Sequence, residues 1–120
     1  MARNRKSAKT AGTRFERTTA DYLKAVTGQP IDRLVKTGAK DRGDVGPLTN
    51  SRGDLVAVEC KDTAVQSLPQ WVREARAEAE NYGATAGIVI HKRRGTTKPG
   101  EQWATMTVDD LIKIMGVWNA

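Results

Sequence analysis

Apolar side chains recur at helical spacing in two long stretches of the chain. The first runs from Ala11 or Gly12 to Thr27 and the second from Leu68 to Tyr82, and a glycine that can end a helix follows each. The predicted buried stripes are Phe15, Thr19, Tyr22, Leu23 and Val26 on the first helix and Leu68, Val72, Ala75, Ala79 and Tyr82 on the second. The charged residues of the second helix, including Glu78, are predicted to face water or partners.

Apolar runs that are too short for a helix predict the strands. Leu55–Val58 is an unbroken apolar run ended by charge, and Ala86–His91 is rich in Ile and Val, so each predicts a buried strand. Ile31–Lys36 and Gln102–Met106 predict two more, and Asp44-Val45 begins a further short segment. A helix between two buried strands is typical of a β-α-β crossover with parallel strands.

The length of the chain favours one α/β domain. At 120 residues the chain can build one modest core, which we assign to residues 12–120. Thr107 is predicted to cap a last helix that Gly116 ends. His91, the single histidine, is favoured as a polar cap at a strand end, and its solitude excludes mechanisms that need several histidines.

Charged side chains at the end of the central strand are the strongest candidates for chemistry. Side-chain alternation places Glu59 and Lys61 on one face and Cys60 on the other, where Cys60 is predicted to be ordinary core. Turn-forming residues before the strand favour a hairpin that brings Asp44 next to Glu59. Two carboxylates and an amine at a sheet edge predict a hard-cation site with a base or charge stabiliser beside it. A salt bridge that closes the hairpin is the alternative.

The spacing of these residues resembles the motif of the PD-(D/E)XK nuclease superfamily. Asp44 is followed by fourteen residues and then by Glu59-x-Lys61, although Gly43 stands where the superfamily name has proline. Gly12-Thr-Arg-Phe-Glu16-Arg17 resembles the first-helix motif of the Holliday-junction-resolvase branch found in archaea and phages. The resemblance spans residues 12–94. It implies a restriction-endonuclease-like α/β fold, with a central mixed β-sheet of about five strands flanked by helices.

The resemblance also implies a catalytic set and its metal. Asp44, Glu59 and the backbone carbonyl of Cys60 would bind Mg²⁺, for which Mn²⁺ can substitute, and Glu16 would be a further ligand. Lys61 would orient or deprotonate the attacking water, or stabilise developing charge. The predicted catalytic residues are therefore Glu16, Asp44, Glu59 and Lys61, with no organic cofactor. From the residues alone, a pair between Glu16 and a neighbouring basic residue such as Arg17 is equally open.

The charge of the chain favours a polyanionic partner. Lys and Arg number 20 against 14 Asp and Glu, which gives a formal net charge of +6, and without an evident basic amphipathic helix nucleic acid is favoured over a membrane. Residues 1–11 contain no acid and predict a disordered basic arm that contacts phosphates; a solvated terminus without a role is the alternative. The candidate DNA-binding residues are Arg3, Arg5, Lys6, Lys9, Arg14, Arg17, Lys40, Arg42, Lys92, Arg93 and Arg94.

The function implied by the resemblance is that of a metal-dependent endodeoxyribonuclease that resolves four-way (Holliday) junctions in DNA recombination and repair. Two symmetric cuts by a chain with one site predict a homodimer, with Trp103, Met115 and Trp118 as candidate interface residues. Another nuclease of the superfamily and a non-catalytic nucleic-acid-binding module are the alternatives. The Gln-x-x-x-Tyr of the exonuclease branch is not found, because Glu78 stands four residues before Tyr82.

The expected cellular compartment follows from features that the sequence lacks. One cysteine excludes intramolecular disulfides and Cys-rich zinc sites. The sequence shows no signal peptide or transmembrane run. We therefore expect a cytoplasmic protein of a phage or prokaryote.

Overall fold

The helical stretches and apolar runs of the sequence fold into a five-stranded mixed sheet with three α-helices. The computed structural model describes residues 4–36, 38 and 40–119. In chain order, the elements are α1 (Arg5–Thr27), β1 (Asp32–Arg33), β2 (Val45–Thr49), β3 (Leu55–Lys61), α2 (Leu68–Tyr82), β4 (Ala86–His91), a 3-10 helix (Pro99–Glu101), β5 (Trp103–Thr105) and α3 (Val108–Ile114). The predicted α/β fold class is confirmed. None of the described helices is long and apolar enough to cross a membrane.

The strand predicted from the apolar run at residues 55–58 lies at the centre of the sheet. The strand order is β1-β2-β3-β4-β5, so β3 has a neighbour on each edge. It pairs antiparallel with β2, which confirms the predicted hairpin, and parallel with β4 across the α2 crossover, which confirms the predicted β-α-β unit. Residues 56–60 of β3 are buried.

Side-chain alternation along β3 divides the core between the two faces of the sheet. Val56, Val58 and Cys60 belong to the cluster that includes Phe15 of α1. On the opposite face, a smaller cluster forms around Trp71 of α2. Cys60 is therefore core, as predicted.

The first helix begins earlier than predicted. α1 starts at Arg5, because the side chain of Asn4 accepts a hydrogen bond of 2.8 Å from the backbone N–H of Ser7 and caps the helix. Residues 5–11, predicted as part of the basic arm, belong to this helix. Arg, Lys and Ala have high helix propensity, so this segment does not need an apolar face to be helical.

The buried stripe of α1 is shorter than predicted. Phe15, Thr19 and Ala20 are buried, whereas Tyr22 is partly exposed and Val26 is 58% exposed. A helix of 23 residues is about 35 Å long, whereas the longest strand has 7 residues and spans about 23 Å. The ends of α1 must therefore extend beyond the sheet.

The two edge strands are shorter than predicted, whereas α2 and β4 match their predicted bounds. The segment predicted at Ile31–Lys36 pairs with β2 only at Asp32–Arg33, and Ile31 before it is buried in the core. The strand predicted at Gln102–Met106 is reduced to Trp103–Thr105. Thr107 caps α3 as predicted, accepting from the backbone N–H of Asp110 at 3.2 Å.

Candidate active site

The β2–β3 hairpin brings Asp44 and Glu59 together. The backbone N–H of Asp44 donates to the carbonyl of Val58 at 2.8 Å, and the Asp44 and Glu59 side chains share a hydrogen bond. Asp44 Oδ2 accepts from the backbone N–H of Cys60 at 2.7 Å. The two acids are only 3% and 6% exposed. The predicted juxtaposition is confirmed.

Gly43 allows this close approach. Its φ is +100°, and a Cβ atom there would lie 2.8 Å from the carbonyl oxygen of Val58. Its backbone N–H donates to Asp41 Oδ1 at 3.0 Å. Proline, which stands at this position in the superfamily name, has a fixed negative φ and no N–H. The glycine is therefore required by this particular hairpin.

Glu59 lies among further carboxyl groups. Asp41, Glu59 and Glu78 each place one carboxylate oxygen within 4.8 Å of the others. Burial, together with Asp44 and Glu78, raises the pKa of Glu59 to about 11. Burial followed by the charges of Asp41 and Asp44 also raises the pKa of Glu78. Without a cation, Glu59 therefore carries a proton at neutral pH, since adjacent buried carboxylates cannot all ionise.

Asp44 remains the ionised member of the pair. Burial opposes its ionisation, but hydrogen bonds from Glu59 and the Cys60 N–H, and then the ammonium of Lys36, hold the pKa of Asp44 below its usual value. Lys36 Nζ is 3.2 Å from Asp44 Oδ1. This lysine provides positive charge where a metal ion would also act.

Lys61 lies on the same face of β3 as Glu59, as predicted from alternation. It is partly buried, and its Nζ is 3.7 Å from Glu74 Oε1 of α2. The charge of Lys61 also acts on Glu78. The Lys61 amine therefore lies beside the group of carboxyls formed by Asp41, Glu59 and Glu78.

Glu16 approaches the site from α1. Its Oε1 is 3.1 Å from Arg33 Nη2, whereas Arg17 pairs with Asp21 and Asp32 instead. Burial and then the charge of Asp44 raise the pKa of Glu16. The ion pair with a basic neighbour is therefore present, although the partner is Arg33 rather than Arg17. The Glu16 carboxylate also lies close enough to Asp44 for the two negative charges to repel each other.

Three charged residues of the site escaped the sequence prediction. Glu78, predicted to face water or partners, is 5% exposed and faces Glu59, so that prediction is wrong. A signal was present, because Glu78 follows Trp71 and Ala75 by seven and three residues, the spacing of one helical face. Asp41 and Lys36 carried no comparable pattern.

The donors in this cluster fit a hard divalent cation. All of the side-chain candidates are carboxylate oxygens, the ligands that Mg²⁺ and Mn²⁺ prefer. Glu78 is buried and shares a side-chain hydrogen bond with Glu59, and no other described group donates to its Oε2. Burial raises the pKa of the Cys60 thiol well above its usual value, so only the backbone carbonyl of this residue suits a hard cation. The chemistry of the cluster therefore suits a divalent metal, although Glu59 is the one predicted ligand that belongs to the group of Asp41, Glu59 and Glu78.

A cavity of about 580 Å³ opens beside Lys61. Its wall contains the basic loop that follows β4. Lys92 Nζ donates to the carbonyls of Arg93 and Thr96 and so braces the loop. The guanidinium of Arg93 lies 4.6 Å from the centre of the exposed Trp103 ring. The cavity thus combines cations with an aromatic surface next to the acidic cluster.

The other predicted DNA-binding residues differ in their availability. Arg42 stacks 5.6 Å from the Tyr82 ring centre, and Arg17 is engaged in its two ion pairs. Arg94 Nη2 is 3.5 Å from the carbonyl of Ala64, and Arg3 lies outside the described residues. The remaining candidates, all on exposed positions, are Arg5, Lys6, Lys9, Arg14 and Lys40.

His91 is buried, and its place in the fold is that of a packed polar residue. Its Nε2 is 2.8 Å from Thr105 Oγ1 on β5, and its ring packs 5.5 Å from Trp71. Burial lowers the pKa of His91, so the imidazole is neutral at pH 7. Trp118, which the sequence left unexplained, lies with its ring 5.0 Å from Lys113 Nζ.

Comparison with known proteins assigns the family. No curated protein and no solved structure matches the chain. A family model described as "Phage putative PDDEXK endonuclease" matches residues 7–114, which include the β2–β3 hairpin and α2. This match confirms the predicted superfamily and its phage type, and it supports a nuclease acting on DNA. The chain therefore belongs to this phage family of PD-(D/E)XK endonucleases.

Proposed function

We propose that this protein is a divalent-metal-dependent endodeoxyribonuclease that cuts four-way DNA junctions. The observation that carries the proposal is the buried Asp44–Glu59 pair, with Lys61 on the same strand face as Glu59 and a basic cavity beside it. An isolated salt bridge would not require two buried carboxyls side by side, one of them protonated. A cation explains why both are present.

The residues of the chain divide the work of phosphodiester hydrolysis. Asp44 and Glu59, with the carbonyl of Cys60, would hold Mg²⁺ or Mn²⁺, and Glu16 would support this site from α1. The ion supplies charge neutralisation at the phosphate and favours ionisation of the attacking water. Lys61 would orient that water or stabilise the charge that develops on the phosphate. No organic cofactor is needed for this chemistry.

Binding of the substrate would use the cations around the cavity. Arg93 and Arg94 line its wall next to Lys61, and phosphate contacts from such residues position DNA without specifying sequence. The exposed cations at the beginning of α1 would extend the contact. The protein would act on DNA in the cytoplasm of the infected cell.

The junction substrate rests on the first-helix motif around Glu16 and on symmetry. A four-way junction needs two cuts, and a symmetric dimer supplies two sites. Trp103, Met115 and Trp118 are exposed on the chain and are the proposed dimer contacts. Resolution of such junctions would place the enzyme in DNA recombination and repair.

The test is cleavage of a synthetic four-way junction beside linear duplex, flap and single-stranded DNA, with Mg²⁺, Mn²⁺ or EDTA. We expect paired symmetric nicks in the junction only, and only with metal. Asp44→Asn and Lys61→Ala should abolish cleavage and leave binding nearly unchanged, whereas the exposed Asp109→Asn serves as the control.

Each other outcome changes a different part of the proposal. Cutting of duplex or flap instead would keep the site and replace the junction with another substrate of the superfamily. Tight binding without cleavage of any DNA would indicate the non-catalytic module. Wild-type cleavage by Asp44→Asn would reject the site itself.

A further inference from the structure

The cavity of about 580 Å³ lies at the carboxyl ends of the two parallel strands β3 and β4. We infer that it receives one unstacked base of the DNA strand, next to the phosphate that is cut. Lys61 and His91 are paired at the ends of the two strands, and both line the cavity together with the loops that follow them. Ligands of open α/β sheets commonly bind at this edge. The inference deepens the proposed function, on which it rests for DNA as the ligand.

Trp103 offers an aromatic surface to a base in this cavity. The residue lines the cavity and is 47% exposed, and the guanidinium of Arg93 lies 4.6 Å from its ring centre. An aromatic ring that solvent reaches is a stacking surface for any base, and a neighbouring arginine strengthens such a contact. A base stacked on this ring would cover a surface proposed for the dimer, so Met115 and Trp118 would then form the dimer contact.

His91 supplies an independent observation that points to a ligand. It is 4% exposed and lines the cavity. Its Nε2 is 2.8 Å from Thr105 Oγ1, whereas its Nδ1 is buried and has no hydrogen-bond partner among the residues that the structure describes. Leaving a buried polar atom without a partner is costly. The edge of a base carries both donors and acceptors, so it can satisfy Nδ1 in either tautomer of the ring.

Trp71 gives the cavity a second, buried aromatic side. Its ring centre lies 5.5 Å from that of His91 with 59° between the ring planes, and the residue packs against Ala75 and Val89 in the core. A site for phosphate alone would need cations but no aromatic rings. The cavity has both kinds of group, since its charged lining residues are Lys61, Asp62, Lys92, Arg93 and Arg94. The combination suits a nucleotide, with its base between the rings and its phosphate at the cations.

The size of the cavity fits this ligand, and its use would affect which DNA is bound. Sites for small organic ligands measure about 300–1,000 Å³, and 580 Å³ lies within that range. Taking a base out of a duplex costs stacking and pairing energy, and the cost is least where the base is already unpaired. An enzyme that fills this cavity with a base would therefore favour branched or single-stranded DNA over continuous duplex. This preference gives the proposed selectivity for junctions a physical cause.

The first measurement follows the imidazole of His91 in the wild-type chain by NMR. Because His91 is the single histidine, its ring signals are identified without further assignment. A short oligothymidylate is added in EDTA, and a separate sample receives an abasic oligomer with the same number of phosphates. We expect the Nδ1 signal to shift with the base-bearing strand and not with the abasic one, because the two strands differ only in their bases.

The second measurement compares the affinities for the two strands by fluorescence polarisation in EDTA. The wild type should bind the oligothymidylate at least about tenfold more tightly than the abasic oligomer, as expected for one stacked base, and Trp103→Ala should lose this difference. Trp118→Ala is the matched control, because that ring is also exposed and lies 5.0 Å from the Lys113 ammonium, but does not line the cavity. Each variant is scored by the ratio of its two affinities, so a change in dimerisation affects both strands alike. Thermal unfolding shows that each variant is folded.

The outcomes separate this inference from the proposed nuclease. Equal affinity of the wild type for the two strands, or a difference that survives in Trp103→Ala, would overturn the base cavity while leaving cleavage through Asp44 and Glu59 intact. Signals of His91 that shift equally with both strands would also overturn it. A base-dependent affinity and a base-dependent shift, in a protein that cuts no DNA, would uphold the cavity and reject the nuclease.

Discussion

Replacing Glu59 by glutamine is expected to stabilise the metal-free protein at neutral pH, although it removes a proposed metal ligand. Burial first, and then Asp44 and Glu78, raise the pKa of Glu59 to about 11, against a reference value of 4.5. The folded protein must therefore take up a proton that the unfolded chain does not hold at pH 7. Glutamine has nearly the same shape, keeps donor N–H groups and needs no proton.

The magnitude follows from linkage. Because the folded pKa is raised, the contribution of Glu59 to the free energy of unfolding is complete below pH 4.5. It then falls as the pH rises towards 11, by about 1.4 kcal/mol per pH unit. At pH 7 the loss is about 3 kcal/mol, and at pH 8 about 5 kcal/mol. The figure at pH 7 depends only on the unfolded pKa, provided that the folded pKa stays above 7.

The other charged groups around Glu59 do not reverse the expected stabilisation by Glu59→Gln. The lowered pKa of Asp44 acts in the opposite sense, but only at acid pH, where the unfolded aspartate titrates. The raised pKa of Glu78 acts in the same sense as that of Glu59. Lys36 and Lys61 are present in both proteins, so the difference in stability between the wild type and Glu59→Gln reports the proton bound by Glu59.

The assay is urea or thermal unfolding in EDTA from pH 5 to 9, with Glu80→Gln, at an exposed position of α2, as the control. The Glu59→Gln and wild-type stabilities should converge near pH 5 and separate above it, by about 10 °C in Tm at pH 7. Mn²⁺ should then stabilise the wild type and not the variant. A Glu59→Gln protein that is less stable than the wild type at pH 8, or a difference that does not grow with pH, would show that Glu59 takes up no proton on folding.

Three further predictions concern the charges and the packing around the site. Lys36→Met should tighten Mn²⁺ binding about tenfold, because the ammonium 3.2 Å from Asp44 competes with the ion; weaker binding in an Mn²⁺ titration would contradict this. Gly87→Ala should lower the free energy of unfolding by at least about 2 kcal/mol, because its Cβ would meet a carbonyl of α2 at 2.2 Å. Gly12→Ala, where the added Cβ would meet no atom within 4 Å, should instead raise the free energy of unfolding by up to about 1 kcal/mol. Equal effects of the Gly87 and Gly12 substitutions in denaturant unfolding would show that the close packing at Gly87 does not contribute. Alanine at three exposed cations of α1 should reduce the slope of log Kd for DNA against log salt by about 2 to 3, and an unchanged slope would mean that they do not contact phosphate. Those three cations are Arg5, Lys6 and Lys9.

Local patterns in the amino-acid sequence specify the central part of the fold and the part of the site formed by Asp44, Glu59 and Lys61. The apolar run of β3, its alternation and the turn residues before it are local patterns, and they were enough to place Asp44 beside Glu59 and Lys61 on the face of Glu59. The bounds of α2 and β4 could also be predicted from local features. A proline and a glycine mark the two ends of α2, and a β-branched run marks β4. The superfamily could also be predicted, because the Asp and Glu-x-Lys residues of its motif lie at this hairpin.

The other charges around Glu59 depend on long-range packing rather than on local sequence patterns. The spacing of Glu78 from Trp71 and Ala75 places it on the buried face of α2, unlike the exposed Glu80, but that spacing does not show which groups Glu78 meets. Glu78 meets Glu59 because Gly87 lets α2 lie close against the sheet. Asp41 and Lys36 enter the site through the loop that Gly43 shapes. Periodicity specifies which face of one element is buried, whereas a binding site depends on how elements distant in sequence approach one another. That approach is fixed only when the core packs.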